Sequence, residues 1–434
     1  MPFGFFSTAL FLHRLFLDRP SFFLHAPPPP VITYNILCDA YTTDRSFPPA
    51  TNPAAHLAWA GREPRLVEEL AGYGADLLFL QEVQEDAWGE GEGEQAARTD
   101  ALGPALRAHG YEGAWFWSVP PPPGVAVSSL KPRKGPPRVG PALLARSARF
   151  QVLALAALPF RDARCAPGLA GGHAPTAALL AGGRDGAVAA LLADRVSGAR
   201  LLAASAHVNW DYRTPDLKVL QVAALLDELR RFGESAAGGG GAAGGTPPPT
   251  LPLPLILGGD FNSLPVERAA NAAPGAPSCD GVPSGAYALL TRGRLDPGHP
   301  HHPARQRGGS PGVTFTTAGW GPLASARAAA AEDGAEPALT TRTTEFEGTL
   351  DYIFVSPAHW RVAGVLEDPW PAGEAAAAGG GGGAGVSGGE AGAPPQAPPP
   401  PLAAFPPTPN LAWPSDHLAV GAVVEPRAPE VALL

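Results

Sequence analysis

The sequence predicts an α/β protein built as a four-layer α/β sandwich, with two mixed β-sheets packed face to face and helices outside. Three observations point there. Short apolar runs of strand length recur from Val31 to Val424. Amphipathic helical segments separate some of them, as parallel pairing requires, while others follow one another across a tight turn, as antiparallel pairing allows. Finally, 434 residues at 45% hydrophobic content can fill the core of one large domain.

The elements follow in order. Residues 1–30, MPFGFFSTALFLHRLFLDRPSFFLHAPPPP, carry apolar runs broken by His13, Arg14 and Asp18. They are too interrupted to span a bilayer and read as a disordered leader, with organelle targeting as the secondary reading. VITYNIL (31–37) is β-rich and short, hence a strand. PRLVEELAGYG (64–74) spaces Leu66, Val67 and Leu70 as a helix closed by Gly72 or Gly74. ADLLFLQEV reads as a buried strand, and VGPALLARSARF as another. GAVAALLADRVSGARLLAASAHV reads as two strands joined at Ser197-Gly198. PDLKVLQVAALLDELRRFG (215–233) is an amphipathic helix with Pro215 at its start and Gly233 at its stop. LPLILGGD, TLDYIFVS and LAVGAVVE are three further strands, with Gly258-Gly259 read as a sharp turn that leaves room for a phosphate.

Gly, Ala and Pro dominate three stretches, at about 118–138, 235–250 and 371–407. None can bury enough apolar surface to offset chain entropy, so they read as low-complexity insertions in a single domain over 31–425, with 426–434 a tail.

Charge and cysteines narrow the function. The net charge of -9, from 31 basic and 40 acidic residues, argues against a broad basic face for duplex nucleic acid. It leaves open a nucleic acid held by metal ions and a few local cations. Cys38, Cys165 and Cys279 are odd in number and far apart, so they form neither a disulfide framework nor a zinc spacing. A reducing compartment fits, and the cytoplasm is the expected location, ahead of the nucleus. No membrane partner is expected.

Each buried-looking strand ends in, or carries, one polar residue that sits awkwardly there. They are Asn35, Glu82, His207 with Asn209, Asp260 with Asn262, Asp351, and Asp416 with His417. Taken singly, an Asn or Asp past a strand is usually a turn former, and a lone His or Glu is usually structural or solvated. Six such ends in one chain suggest convergence, because apolar surroundings penalise each group unless partners compensate it. Carboxylates, amides and imidazoles without a cysteine suit Mg²⁺ or Mn²⁺ rather than structural zinc. No GxSxG elbow or P-loop is present. Carboxylate-bound Mg²⁺ beside neutral donors is an arrangement for attack on a phosphodiester.

These motifs resemble the endonuclease/exonuclease/phosphatase superfamily. Within it the sequence is most similar to the poly(A) deadenylases of the carbon catabolite repressor 4 type, with nocturnin-like relatives close. TYNILCDAY, LAWAGREPRLVEELAGYGADLLFLQEVQ, PDLKVLQVAALL, LILGGDFNSLP, YALLTRGRLDPGHP, TEFEGTLDYIFVS and PSDHLAV stand in the family's order over about 31–425.

The resemblance implies roles. Glu82 ligates Mg²⁺ directly, Asn35 supports the metal and the phosphate, and Asp416 completes the metal side. Asp260 orients or deprotonates the attacking water, or holds a second metal. Asn262 donates to the scissile phosphate. His207 and His417 stabilise the pentacovalent state, with Asp351 orienting His417. Asn209, Tyr212 and Phe346 fall to substrate binding, Phe346 where the family stacks an adenine.

The implied activity is Mg²⁺-dependent 3′-to-5′ exoribonuclease action on single-stranded RNA with a 3′ poly(A) end, releasing 5′-AMP, alone or in a deadenylase complex. Removal of the NADP(H) 2′-phosphate and cleavage of 2′,5′-oligoadenylate are the alternatives within the fold, and a non-catalytic adenylate-binding scaffold is the rival from another class. No leucine-rich repeats precede the domain. Tyr212 stands where the family often has proline, Val139 and Pro141 depart from an acidic pattern, and Ala187 replaces a common Asn. These departures bear on the substrate groove and touch no expected metal ligand.

Overall fold

Two six-stranded sheets carry the chain. The computed structural model describes residues 27–89, 101–118, 138–162, 174–238, 252–267, 281–307, 312–369 and 405–427. In spatial order, the first sheet is β15 (Trp360–Val365), β16 (Val420–Pro426), β1 (Pro30–Asn35), β2 (Leu77–Gln84), β4 (Val139–Arg146) and β3 (Tyr111–Trp115). The second is β11 (Ala324–Ser325), β14 (Asp351–Val355), β8 (Leu255–Asp260), β7 (Arg200–His207), β6 (Gly186–Asp194) and β5 (Phe150–Pro159). Two short pairs stand apart: β9 (Arg294–Leu295) with β10 (Phe315–Thr316), and β12 (Thr341–Arg342) with β13 (Glu347–Gly348).

Each large sheet has one parallel pair, β1–β2 or β7–β8, among antiparallel neighbours. A parallel pair needs a crossover. The helix Trp59–Gly72 supplies the first and the long helix Pro215–Gly238 the second.

The period-2 alternation of strand side chains assigns the layers. Along β8, Ile256 joins Val31, Phe79 and Val188 between the sheets, whereas Leu255 and Leu257 pack outward with Leu220 and Ala224 of the long helix. On the other side, Ile32, Leu78 and Leu80 meet Leu66 and Leu70 of the first crossover helix. The order is therefore helix, sheet, sheet, helix, as the sequence predicts. Among the described residues no helix is long and apolar enough to cross a membrane.

Several boundaries differ from the sequence reading. The long helix runs through Gly233 to Gly238, so residues 235–238 belong to it and not to an insertion. Gly233 lies close to Leu202, whose Cδ1 would stand 3.0 Å from a Cβ placed there. The first crossover helix begins at Trp59, with Pro64 inside it, and Gly74 beyond its end has φ +60. Residues 27–30 are tied to the body, since Pro27 O accepts from Arg149 Nη1 (2.7 Å) and Pro30 O from Asp76 N (2.7 Å). At the other side, Phe405 is buried with Leu339 and Leu418. The remainder of the leader, and most of the three Gly/Pro-rich stretches, lie outside the described residues.

Gly258 and Gly259 form no turn: both lie within β8. A Cβ on Gly258 would overlap the Phe79 ring across the sheet interface, and one on Gly259 would overlap the Ala206 carbonyl of β7. Their lack of side chains lets β8 pass straight and close.

Candidate active site

Strand register builds the first half of the site. His207 of β7 pairs with Asp260 of β8, and Asp260 pairs with Asp351 of β14. Three polar residues thus stand in one row across the second sheet, held by ladder hydrogen bonds. The first sheet supplies Asn35 at the end of β1 and Glu82 in β2. β2 slips register against β4 between Leu80 and Val83, and Glu82 inside that bulge has φ +57. Asn262, two residues past Asp260, has φ +48. A left-handed backbone is tolerable for Asn and strained for Glu, so the strain falls on site residues.

One amide joins the two halves. Asn35 Nδ2 donates to Glu82 Oε1 (3.1 Å) and to Asp260 Oδ2 (3.1 Å). Glu82 Oε2 accepts from the Cys38 amide (3.1 Å). Asp260 Oδ2 also lies 3.7 Å from His207 Nε2 and 3.8 Å from His417 Nε2, while Asp260 Oδ1 accepts from Asn262 N (2.8 Å). His417 Nδ1 meets Asp351 Oδ2 at 2.8 Å, and Thr340 Oγ1 donates to the same oxygen (2.6 Å). That bond assigns the Nδ1 proton to the Asp351 side and turns Nε2 toward Asp260.

Electrostatics follow from this crowding. Burial alone would lower the His417 pKa, but Asp351, Asp416 and Asp260 override it and hold the imidazole well above its usual range. Burial raises the carboxyls of Glu82, Asp351 and Asp416, with His207 opposing at Glu82 and His417 at all three. Asp416 adds to the upward push on Glu82, so the two are within electrostatic reach.

The structure therefore brings Asn35, Glu82, His207, Asp260, Asp351 and His417 together, with Asp416 adjoining. Asn262 borders them; its Nδ2 donates to Val208 O (2.9 Å). Asn209 has other partners. Its Oδ1 accepts from Asp211 N (3.0 Å) and Thr214 Oγ1 (3.3 Å), and its Nδ2 reaches Asp185 Oδ2 (3.4 Å), which shapes the loop into the long helix. Tyr212 is exposed on that loop. Phe346 is half-buried in the turn between β12 and β13, and Thr341 of β12 bridges to His417.

Four positioning residues were missed by sequence reasoning. Arg62 is fully buried, and its Nη1 donates to Ile36 O (3.1 Å), Leu37 O (2.8 Å) and Pro414 O (3.2 Å). It fastens the exit of β1 to the loop bearing Asp416. Ser415 Oγ adds a bond to Asn35 O (2.6 Å). Lys218, buried on the long helix, donates from Nζ to Asn262 O (2.5 Å), and burial lowers its pKa to about 8. Thr340 braces Asp351. Arg62 carries a usable signal: it shares the apolar side of its helix with Trp59, Leu66 and Leu70. Thr340 and Ser415 carry none.

The donor set fits a divalent cation. The ligating atoms of Asp260, Asp351 and His417 lie within 4.8 Å of one another. Asp351 and His417 already bind each other, however, so Glu82, Asp260 and Asp416 are the carboxylates left facing inward. Burial raises Glu82 and Asp416, a cost that a cation relieves, and oxygen donors select a hard one.

A family model described as "Endonuclease/Exonuclease/phosphatase family" matches residues 32–417. The CCR4-Not complex 3′-5′-exoribonuclease subunit Ccr4 of Phaeosphaeria nodorum is 25% identical over 364 residues, covering 78% of this chain and 54% of that protein. Its counterpart in Yarrowia lipolytica is 27% identical over 345 residues, covering 77% and 43%. The chain thus spans about half the length of the curated relatives it matches. Among solved structures, ANGEL2, described as a 2′,3′-cyclic phosphatase, in complex with adenosine-2′,3′-vanadate, superposes with a TM-score of 0.57 at 20% identity, covering 91% of this chain and 95% of that one. The human Nocturnin catalytic domain with bound sulfate gives 0.50 at 20% identity, covering 92% and 95%. These two likenesses show a shared fold.

Proposed function

The chain belongs to the endonuclease/exonuclease/phosphatase family, and from that membership we propose that it is a metal-dependent phosphodiesterase that shortens single-stranded RNA from the 3′ end, preferring poly(A) and releasing 5′-AMP. The observation that carries this reading is the Asn35 amide bonded to both Glu82 and Asp260, in line with His207 and with the His417–Asp351 pair. The names of the Ccr4 relatives support the RNA substrate.

The chemistry uses each residue once. Asp260, at the row's centre, orients a water against phosphorus and takes its proton. The phosphorus–O3′ bond breaks opposite the attack; 5′-AMP keeps the phosphate, and the departing 3′ oxygen takes a proton from solvent. His207 and the His417 imidazolium face the charge that grows on the non-bridging oxygens, and Asn262 donates to one of them. Asp351 fixes the His417 ring and sustains its charge. Glu82, with Asp416 and Asn35 in support, would hold a divalent cation, Mg²⁺ or Mn²⁺, which would supply Lewis-acid neutralisation of the phosphate. Tyr212 and Phe346 receive the terminal adenine, and Asn209 shapes that approach. Association with a deadenylase complex and a cytoplasmic location complete the reading.

The test incubates the chain and Mg²⁺ with 5′-labelled RNA ending in adenylates, beside NADPH and 2′,5′-oligoadenylate. A ladder shortening from the 3′ end with 5′-AMP as product is expected. A pure, folded preparation inert on every 3′ adenylate end would sink the reading, and phosphate release from NADPH alone would replace it.

A further inference from the structure

Exposed aromatic rings follow the strands that carry the site. Among the described residues, the exposed large hydrophobic side chains include three aromatic ones: Tyr41 (49% exposed), Trp210 (67%) and Tyr212 (54%). All three lie on loops that leave the site strands. Tyr41 closes the short turn after β1, three residues past Cys38, whose amide donates to Glu82. Trp210 and Tyr212 follow His207 on the loop to the long helix. The other exposed large hydrophobics, Leu153, Val196, Val266 and Leu411, are aliphatic. Val196 sits on the β6–β7 turn, at the opposite end of the second sheet.

A cation stands at the same mouth. Gly186 at the start of β6 pairs with His207, which puts Arg184 and Asp185 at the same mouth. Asp185 Oδ2 accepts from Gln221 Nε2 (2.8 Å) and lies 3.4 Å from Asn209 Nδ2, so this edge is fixed to the loop of Trp210. Arg184 is exposed. Burial raises the Tyr41 phenol, Glu82 and Asp185 raise it further, and Arg184 pulls it down, so Tyr41 is within electrostatic reach of all three. A solvent-facing Trp and Tyr gain nothing from water, whereas rings beside a cation are what unpaired bases on a phosphate backbone need: stacking without sequence preference and charge pairing.

We propose that Tyr41, Arg184 and Trp210 form a stacking rim for the unpaired nucleotides adjoining the one being removed, so that the substrate is a strand several nucleotides long. The proposal rests on the phosphodiesterase reading above. It is separate from the terminal adenine given to Tyr212 and Phe346.

The test reads binding apart from turnover. Anisotropy of 5′-labelled dodecaadenylate and diadenylate is measured on the Glu82→Gln chain, which spares the probe. Adding Trp210→Ala or Tyr41→Ala should weaken dodecaadenylate binding about tenfold and diadenylate binding less than about twofold. Trp210→Phe, which keeps a ring, should recover most of the loss, and Val196→Ala should change neither probe. Arg184→Ala should reduce the salt dependence by about one phosphate contact. Dodecaadenylate affinity unchanged in both aromatic variants overturns the proposal, as does an equal loss on both probes or a loss that Trp210→Phe does not recover. A wild-type chain that hydrolyses no RNA sinks the poly(A) reading alone, since the binding comparison stands without turnover.

Discussion

Asn35 has one amide nitrogen, and it bonds a carboxylate in each sheet. Asn35→Asp keeps the shape, removes both donations and adds a carboxylate to a crowded cluster. It should lower kcat about 100-fold or more with little change in secondary structure, judged by steady-state rates and circular dichroism. Lys218 acts one residue further out, by holding the Asn262 carbonyl. Lys218→Met keeps most of the volume and removes a buried charge, so the melting temperature should hold while kcat falls about tenfold as the Asn262 turn loosens. A loss in melting temperature with kcat intact would assign Lys218 to stability instead.

Glu69 gives a pH prediction away from the site. It accepts from Tyr73 Oη (2.6 Å) and Tyr34 Oη (3.3 Å), and burial raises its pKa from 4.5 to about 7. The folded state therefore holds a proton that the unfolded state loses between pH 4.5 and 7. Stability falls as pH rises through that window and is flat above it. Glu69→Gln should remove the slope and stabilise the chain at pH 8 by about 1–3 kcal/mol, measured by urea titration at several pH values.

At the scale of elements, β8 is the strand that must not shift. Gly259→Ala pushes against a backbone carbonyl of β7, which cannot rotate away. Destabilisation of about 1–3 kcal/mol is expected, with a fall in turnover because the His207–Asp260 register moves with it. A variant with native melting temperature and rate would show that the contact is relieved cheaply.

The same element shows what the sequence could and could not convey. LPLILGGD reads as a buried strand because its run is short and apolar, and Asp260 stands out because a carboxylate does not belong there. The glycines mislead, because local sequence marks Gly as a turn, while their cause here is a neighbour from another part of the chain. Gly233 also misleads: it reads as a helix stop, yet the helix runs on to Gly238. Asn209 shares the spacing of a site residue, yet its side chain bonds its own loop and Asp185 before β6. Residues whose role depends on a distant partner, such as Thr340 on Asp351 and Ser415 on Asn35, leave no trace in a linear pattern.

At the scale of the molecule, the site exists only where the two sheets meet. Gln81 Nε2 of the first sheet donates to Ser205 Oγ of the second (3.1 Å), deep between the layers. Arg62 and Ser415 then fix the rim, so Glu82 and Asp260 keep their spacing as long as the sandwich is intact. The proposed function requires strand ends from both sheets to assemble one cation-holding phosphodiesterase centre. Isothermal titration of Mg²⁺ or Mn²⁺ into the wild-type chain and into Glu82→Gln and Asp416→Asn tests this. Saturable binding in the wild type, weakened about tenfold or more in both variants, is the predicted result. Binding that is absent in the wild type, or equal in all three chains, would contradict it.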